Sequence, residues 1–277
     1  MNKVVGIVGC GNMGFAIANQ IKKRFKVFCF DRDPTKLSGL DISEKTEGIV
    51  DLFLKCDCLI IAVKPQDIIP VLEEIKKQRQ LQDKFFISIA AGISTKYIEK
   101  VLGKVRVVRA MPNMPFKIGK GLTCLSKGKF AKQEDFKFAA DLFECGGNVL
   151  ELKEDMMDAA TATSGSAPGW YFELVSLNYP QWKKDPDFFT NKFAEDLKNA
   201  AQELGFEDFQ SELIASTTAS ACAFMLIKLN NSPEELRDQV ASKGGTTEAG
   251  LTVLRNGGTL LEAARAARER AKELLRE

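Results

Sequence analysis

The chain has 277 residues, 45% apolar and 27% charged, with 39 Lys and Arg against 37 Asp and Glu and a formal net charge of +2. That length fits one large domain or two ordinary ones with real cores, and the near-neutral balance speaks against a protein that tracks nucleic-acid phosphates. The chain contains no histidine, which excludes Ser-His-Asp and Cys-His catalysis, histidine-ligated zinc and any dehydrogenase built on a histidine acid.

In chain order, Val4–Val8 reads as a strand reached too soon to leave room for a secretory leader. No apolar run is long enough to span a bilayer. The seven Cys form no CxxC pair and suit a reduced compartment, so the expected location is the cytoplasm, with no membrane or metal role. Gly9-Cys10-Gly11-Asn12-Met13-Gly14 follows the strand and opens a helix over 12–23. In that context GxGxxG binds a dinucleotide: one glycine turns, one admits the diphosphate to the backbone, one lets helix and strand approach, and the helix N-terminus holds the anion. Gly9, Gly11, Asn12, Met13 and Gly14 are therefore candidate cofactor residues.

A second strand, Lys26–Phe30, ends at Asp31 and Arg32. A carboxylate there accepts hydrogen bonds from an adenosine ribose and favours NAD, whereas a guanidinium clamps a 2′-phosphate, so both NADH and NADPH stay open. The apolar runs Cys58–Val63, Phe85–Ala90 and Val105–Val108 read as strands covered on both faces, with helices over 67–79 and 94–102 between them. Ligands bind at the carboxyl ends of such strands. Val63 and Lys64, Ala90 and Ala91, and Asn113 stand there: Lys64 for a phosphate or ribose, the alanines for close approach of a nicotinamide, Asn113 for its carboxamide. A last β-α-β stretch runs through 122–126, 133–143 and 148–152. The alternation predicts an α/β fold, a Rossmann-like doubly wound sheet over 1–153.

Beyond Lys153 strand signals stop, and helices are expected near 154–178, 187–204, 207–229, 233–241, 247–255 and 259–275, an all-helical domain over 154–277. The polar stretch 180–187 is expected to be a loop. Thr161–Gly169, small residues with a Gly and a Pro, reads as a kink used for packing. Ser242-Lys243-Gly244-Gly245-Thr246-Thr247 leads into a helix and can offer N–H donors to a carboxylate or phosphate. Thr246 or Thr247 can cap that helix and leave its neighbour facing the ligand, while Glu248 favours the helix dipole and repels an anion.

Together GCGNMG (9–14), AVKPQ (62–66), AAG (90–92), VRAMPN (108–113), TSGSAP (163–168) and DQVASKGGTTEAGL (238–251) make the chain resemble pyrroline-5-carboxylate reductase nearly end to end. The resemblance implies hydride transfer from NADPH or NADH to an imino acid, giving proline, in a homodimer joined through its helical domains, with larger rings of dimers in some relatives. It implies that Ser242, Gly244, Gly245, Thr246 and Thr247 grip the substrate carboxylate, that Glu154 lines the substrate site, and that Thr247 bonds the ring nitrogen and acts in catalysis. The usual pattern has Pro where this chain has Lys243, and Gly-Pro-Ala where it has Ala167-Pro168-Gly169. A reductase of another cyclic imine is the alternative within the class, and a non-catalytic dinucleotide sensor the alternative outside it. The missing histidine agrees with an imine, since a protonated imine is already electrophilic whereas a ketone needs a proton donor for its developing alkoxide.

Overall fold

The computed structural model describes residues 3–274. Its first half is an eight-stranded sheet in the order β3-β2-β1-β4-β5-β6-β7-β8. The strands are β1 (Val4–Val8), β2 (Lys26–Phe30), β3 (Glu44–Lys45), β4 (Cys58–Ile61), β5 (Phe85–Ser88), β6 (Arg106–Pro112), β7 (Gly121–Lys127) and β8 (Gly147–Glu151). From β3 to β6 every pairing is parallel, with Val5 opposite Val27 on one side of β1 and opposite Cys58 on the other. The chain thus leaves β1 in one direction and returns to its other edge at β4, the reversal of strand order where such sheets bind ligands.

Helices α1 (Asn12–Ile21), α2 (Ile49–Lys55), α3 (Ile68–Lys76), α4 (Thr95–Leu102) and α5 (Gln133–Phe143) connect the strands. β4 and β5 are buried along their whole length, because helices cover both faces. Leu52, Leu59, Ile61, Leu72, Ile75 and Phe86, all fully buried, share one cluster between sheet and helices, each large side chain contributing about 1.5–3 kcal/mol of burial. β3 and α2 were not expected. A two-residue edge strand carries no periodic signal, and Ser43 and Thr46 extend it through backbone bonds to Val27 and Cys29.

The second half is helical: α6 (Met157–Ala160), a π-helical turn (Thr161–Ser166), α7 (Ala167–Leu177), α8 (Tyr179–Lys184), α9 (Pro186–Glu203), α10 (Asp208–Lys228), α11 (Pro233–Val240), α12 (Thr246–Arg255) and α13 (Leu260–Glu273). The expected single helix over 154–178 is interrupted. Pro168 has no N–H for the carbonyl four residues back, and the widened turn uses side chains instead: Thr161 Oγ1 donates to Met157 O at 2.9 Å, Thr163 Oγ1 to Ala159 O at 2.9 Å, and Ser166 Oγ to Thr161 O at 3.1 Å. The expected loop over 180–187 is mostly α8. Trp182 anchors it, 6% exposed, stacked on Tyr179 and donating Nε1–H to Tyr171 Oη at 3.1 Å. Asp185 then caps α9 by accepting from Phe188 N at 2.9 Å, with Pro186 in the first turn.

The chain forms two compact units: one runs through Met111 and takes in Thr123–Glu154, the other joins Pro112–Leu122 to the chain from Asp155 onward. Among the described residues no helix is long and apolar enough to cross a membrane, and no group of three or more Cys, Asp or Glu is placed to hold a metal ion.

Candidate active site

In the first unit the carboxyl ends of β1, β2 and β4 surround a cavity of about 540 Å³, lined by Gly9, Gly11, Asp31, Arg32, Val63 and Lys64 among others. Gly9 sits at φ +91°, and a Cβ there would lie 2.8 Å from the Ala62 carbonyl oxygen, so only glycine fits. A Cβ on Gly14 would collide with the Gly9 carbonyl, which is how α1 comes so close to β1. Gly11 is the N-cap of α1 and faces open space, with no side-chain cap and no acid in the first turn. Its surroundings fit a diphosphate: backbone donors, the positive end of a helix, and room. The Cys29 thiol on β2 is pushed up by its hydrogen bond with Cys10, by burial and by its electrostatic interaction with Cys10, so Cys29 stays a neutral thiol.

Asp31 and Arg32, whose signals conflict in the sequence, are placed differently. Asp31 is buried; its Oδ2 accepts from Cys10 N at 2.6 Å, its Oδ1 accepts from Asp33 N at 2.9 Å, and Lys36 Nζ stands 3.7 Å away. Arg32 is 78% exposed at the cavity and pairs with Asp67 at 3.3 Å. Lys64 is exposed at the cavity wall; Ala90 is buried and Ala91 half-buried in the turn after β5.

In the second unit α11 and α12 flank the loop Ser242–Gly245. Ser242, Lys243 and Gly244 are exposed, while Thr246 and Thr247 are buried. Gly245 is the N-cap of α12 and supplies no side-chain cap, so the first N–H groups of the helix remain directed at the loop. Glu248 Oε2 accepts from Gly244 N at 2.6 Å, and Arg270 Nε donates to Gly244 O at 2.8 Å. The two threonines divide. Thr246 Oγ1 meets Ser166 Oγ at 2.9 Å, whereas the Thr247 hydroxyl has no hydrogen-bond partner among the described residues. The Thr247 carbonyl accepts from Trp170 Nε1 at 3.1 Å.

The family described as pyrroline-5-carboxylate reductase dimerisation matches residues 188–274, and the family described as NADP oxidoreductase, coenzyme F420-dependent, matches residues 4–92. Pyrroline-5-carboxylate reductase 1 of Bacillus subtilis (strain 168) is 30% identical, with 98% of this chain and 89% of the relative covered. The chain belongs to the pyrroline-5-carboxylate reductase family. Among solved structures, the Coxiella burnetii pyrroline-5-carboxylate reductase is 29% identical over 99% of both chains with a TM-score of 0.64. The Plasmodium falciparum pyrroline carboxylate reductase with NADP bound is 28% identical over 99% of this chain and 98% of its own, with a TM-score of 0.63.

Against this family background, two expected residues prove to be tied up in the protein itself. Asn113, expected at a nicotinamide, is 1% exposed in the second unit; its Oδ1 accepts from Leu122 N at 2.9 Å and its Nδ2 donates to Ser164 Oγ at 3.4 Å. It holds the turn after β6. Glu154, expected at the substrate, accepts from Thr95 N at 3.2 Å and Arg109 NH1 at 3.1 Å with one oxygen, and from Thr95 Oγ1 at 3.2 Å with the other.

Other residues escaped sequence reasoning. Lys36 adds a second cation beside Arg32; its spacing of five residues from Asp31 carried no recognisable pattern. Ser166 lies in a stretch assigned to packing, yet it holds Thr246. Glu173, 3% exposed on α7, binds Arg237 NH1 at 2.7 Å and Arg255 Nε at 2.6 Å, so it ties the helices before and after the loop to one point. Burial pushes the Glu173 carboxyl up, but the hydrogen bonds and charges of Arg255 and Arg237 outweigh it and hold the group below the usual carboxylate range.

Proposed function

We infer that the chain is an NAD(P)H-dependent oxidoreductase that reduces L-1-pyrroline-5-carboxylate to L-proline, the last step of proline synthesis. The observation that carries this reading is the Gly244-Gly245-Thr246-Thr247 loop at an N-terminus with no side-chain cap, with one threonine hydroxyl bonded and the next left for a ligand. The family membership supports the same activity.

In this reading the domain over 1–153 holds the coenzyme and the helical domain over 154–277 holds the substrate. Gly9, Gly11, Asn12, Met13 and Gly14 take the diphosphate; Asp31 and Arg32 face the adenosine ribose; Val63, Lys64, Ala90 and Ala91 flank the remainder. When bound, NADH or NADPH supplies the hydride. Ser242, Gly244, Gly245, Thr246 and Thr247 bind the substrate carboxylate, and the Thr247 hydroxyl orients the ring nitrogen. No strong protein acid is required, because the imine arrives protonated and the residues act by orientation, worth up to ~7–11 kcal/mol for well-aligned reactants.

A homodimer through the helical domain belongs to the proposal. Leu177, Phe188, Phe209 and Ile227 are 60–70% exposed there, an apolar surface that suits a second copy; a ring of dimers would show as a larger mass in light scattering. A cytoplasmic location is proposed with it, supported by six of the seven thiols serving as buried core residues.

Initial rates with NADH and with NADPH, on pyrroline-5-carboxylate and on its six-membered homologue, test the reading. Oxidation of either coenzyme that depends on the five-membered acid is expected. A preference for the six-membered ring would make the chain a reductase of another cyclic imine, and coenzyme binding without turnover would make it a sensor.

A further inference from the structure

The cavity at the carboxyl ends of β1, β2 and β4 is lined by charges of both signs. Its acids are Asp31, Asp67 and Glu74, and its cations are Arg32, Lys36 and Lys64. Two of the cations are already paired inside it: Lys36 Nζ stands 3.7 Å from Asp31 Oδ1, and Arg32 NH2 stands 3.3 Å from Asp67 Oδ1. Among the described residues the lining therefore holds no surplus of positive charge.

These charges differ in how firmly they are held. The Asp31 carboxylate is buried, with Cys10 N donating to one oxygen at 2.6 Å and Asp33 N to the other at 2.9 Å. Two amides from separate segments fix it in the wall, and Cys10 lies inside the glycine turn, so the charge cannot swing away from whatever the cavity takes. A carboxylate has about four acceptor sites, so each oxygen keeps a lone pair for a hydroxyl. Arg32 is mostly in solvent, where an ion pair contributes little, and it is drawn to Asp67. Asp67 is the N-cap residue of α3, a position where a carboxylate ordinarily accepts from the helix amides. It makes no such bond, and its ion pair is with Arg32.

In a sheet of this topology a carboxylate at the end of the second strand bonds the 2′-hydroxyl of an adenosine ribose, whereas a nearby arginine accommodates a 2′-phosphate. The sequence carries both residues side by side, and the structure ranks them. We propose that the chain selects NADH over NADPH, with Asp31 and Asp67 as the specificity-determining residues: Asp31 accepts the ribose hydroxyl and repels a 2′-phosphate, and Asp67 holds the arginine that a phosphate would need. A phosphate monoester brings a charge of about −1.5 to −2 at pH 7; here it would have to sit beside a fixed carboxylate and take Arg32 from another. The fold does not carry this choice, because side chains at one strand end and in the turn after another make it. The proposal rests on the coenzyme reading above and adds which coenzyme that site prefers.

The test is the affinity of the full-length protein for NADH and for NADPH, each titrated by coenzyme fluorescence without imino acid, in the wild type, Asp31→Asn and Asp67→Asn. The wild type is expected to bind NADH roughly 10- to 100-fold tighter than NADPH, the scale of a charge set beside a like charge. Asparagine at 31 has one carbonyl oxygen for two amides and weakens the turn for both coenzymes, so the ratio of the two affinities is the readout. That ratio should move roughly tenfold toward NADPH in Asp31→Asn. Asp67→Asn keeps a good N-cap residue and should move it about two- to fivefold the same way, the worth of one exposed ion pair. Equal or tighter binding of NADPH by the wild type, or a ratio that either variant leaves in place, would overturn the proposal while the reductase reading stands. A protein that binds neither coenzyme would remove both. If Asp31→Asn does not fold, Asp67→Asn decides: a shift toward NADPH upholds the proposal, and an unmoved ratio overturns it.

Discussion

The molecule has two glycine-rich loops that each open a helix without a side-chain cap, and they differ in how they treat negative charge. At Gly9–Gly14 no acid stands in the first turn of α1, and the nearby Asp31 carboxylate is buried with both oxygens on backbone N–H groups. At Ser242–Thr247 an acid stands in the first turn of α12, and Glu248 already occupies the Gly244 N–H. The first loop is open, with backbone donors that no side chain caps, and is held by sheet packing. The second is partly self-neutralised, carries hydroxyls beside its amides, and is held by the two arginines on Glu173. An identical local device, a helix N-terminus behind glycines, thus differs in its attraction for negative charge by what its neighbours contribute.

The largest expected effect lies in the first loop. Gly9→Ala combines a left-handed backbone with a contact into the Ala62 carbonyl, and should cost about 3 kcal/mol of stability, together with most of the coenzyme affinity. Chemical denaturation and coenzyme fluorescence measure the two losses; a variant that binds normally would show that the turn can relax.

Next comes the anchor of the second loop. Glu173→Gln should destabilise by roughly 2–3 kcal/mol, since two arginines lose their charged partner. The Glu173 carboxyl lies below its unfolded value, so its contribution is present at neutral pH and disappears as pH falls through the depressed value. Loss of near-UV signal from Trp170 and Trp182 on acidification should therefore begin at higher pH in the wild type than in a Glu173→Gln protein at matched stability. Identical acid transitions would assign the acid sensitivity to other carboxylates.

Thr247→Ala should lower kcat/KM by about 1–3 kcal/mol, one hydrogen bond to a ligand, while leaving stability within about 1 kcal/mol. The smallest effect belongs to Glu248. Glu248→Gln removes a negative charge beside the carboxylate loop and weakens the helix start, each by about 0.3–1 kcal/mol; KM for the imino acid should fall two- to fivefold while Tm drops slightly. A KM that rises instead would mean that Glu248 orders the loop more than it repels the ligand.

Much of the first unit could be read in the chain itself. Apolar runs such as Cys58–Ile61 and the GxGxxG at 9–14 are local signals, because burial on both faces and a tight turn dictate residue type position by position. The short β3 and the helix α8 were not legible: β3 is a two-residue edge strand, and α8 is held by Trp182 against Tyr171, eleven residues away. Asn113 was read as a partner for a nicotinamide carboxamide, but its amide bonds Leu122 N and Ser164 Oγ, partners that no spacing rule points to.

Residue order alone therefore determined the fold class, the family and the two glycine-rich turns that open α1 and α12, since each rests on contacts among near neighbours and on glycine where no Cβ fits. Only the tertiary structure decided which hydroxyl of the Thr246–Thr247 pair is committed, which way the Asp31 carboxylate turns, and what Glu154 and Glu173 hold. Those outcomes depend on hydrogen bonds and ion pairs between residues as many as 82 positions apart, and the sequence places no such partners side by side.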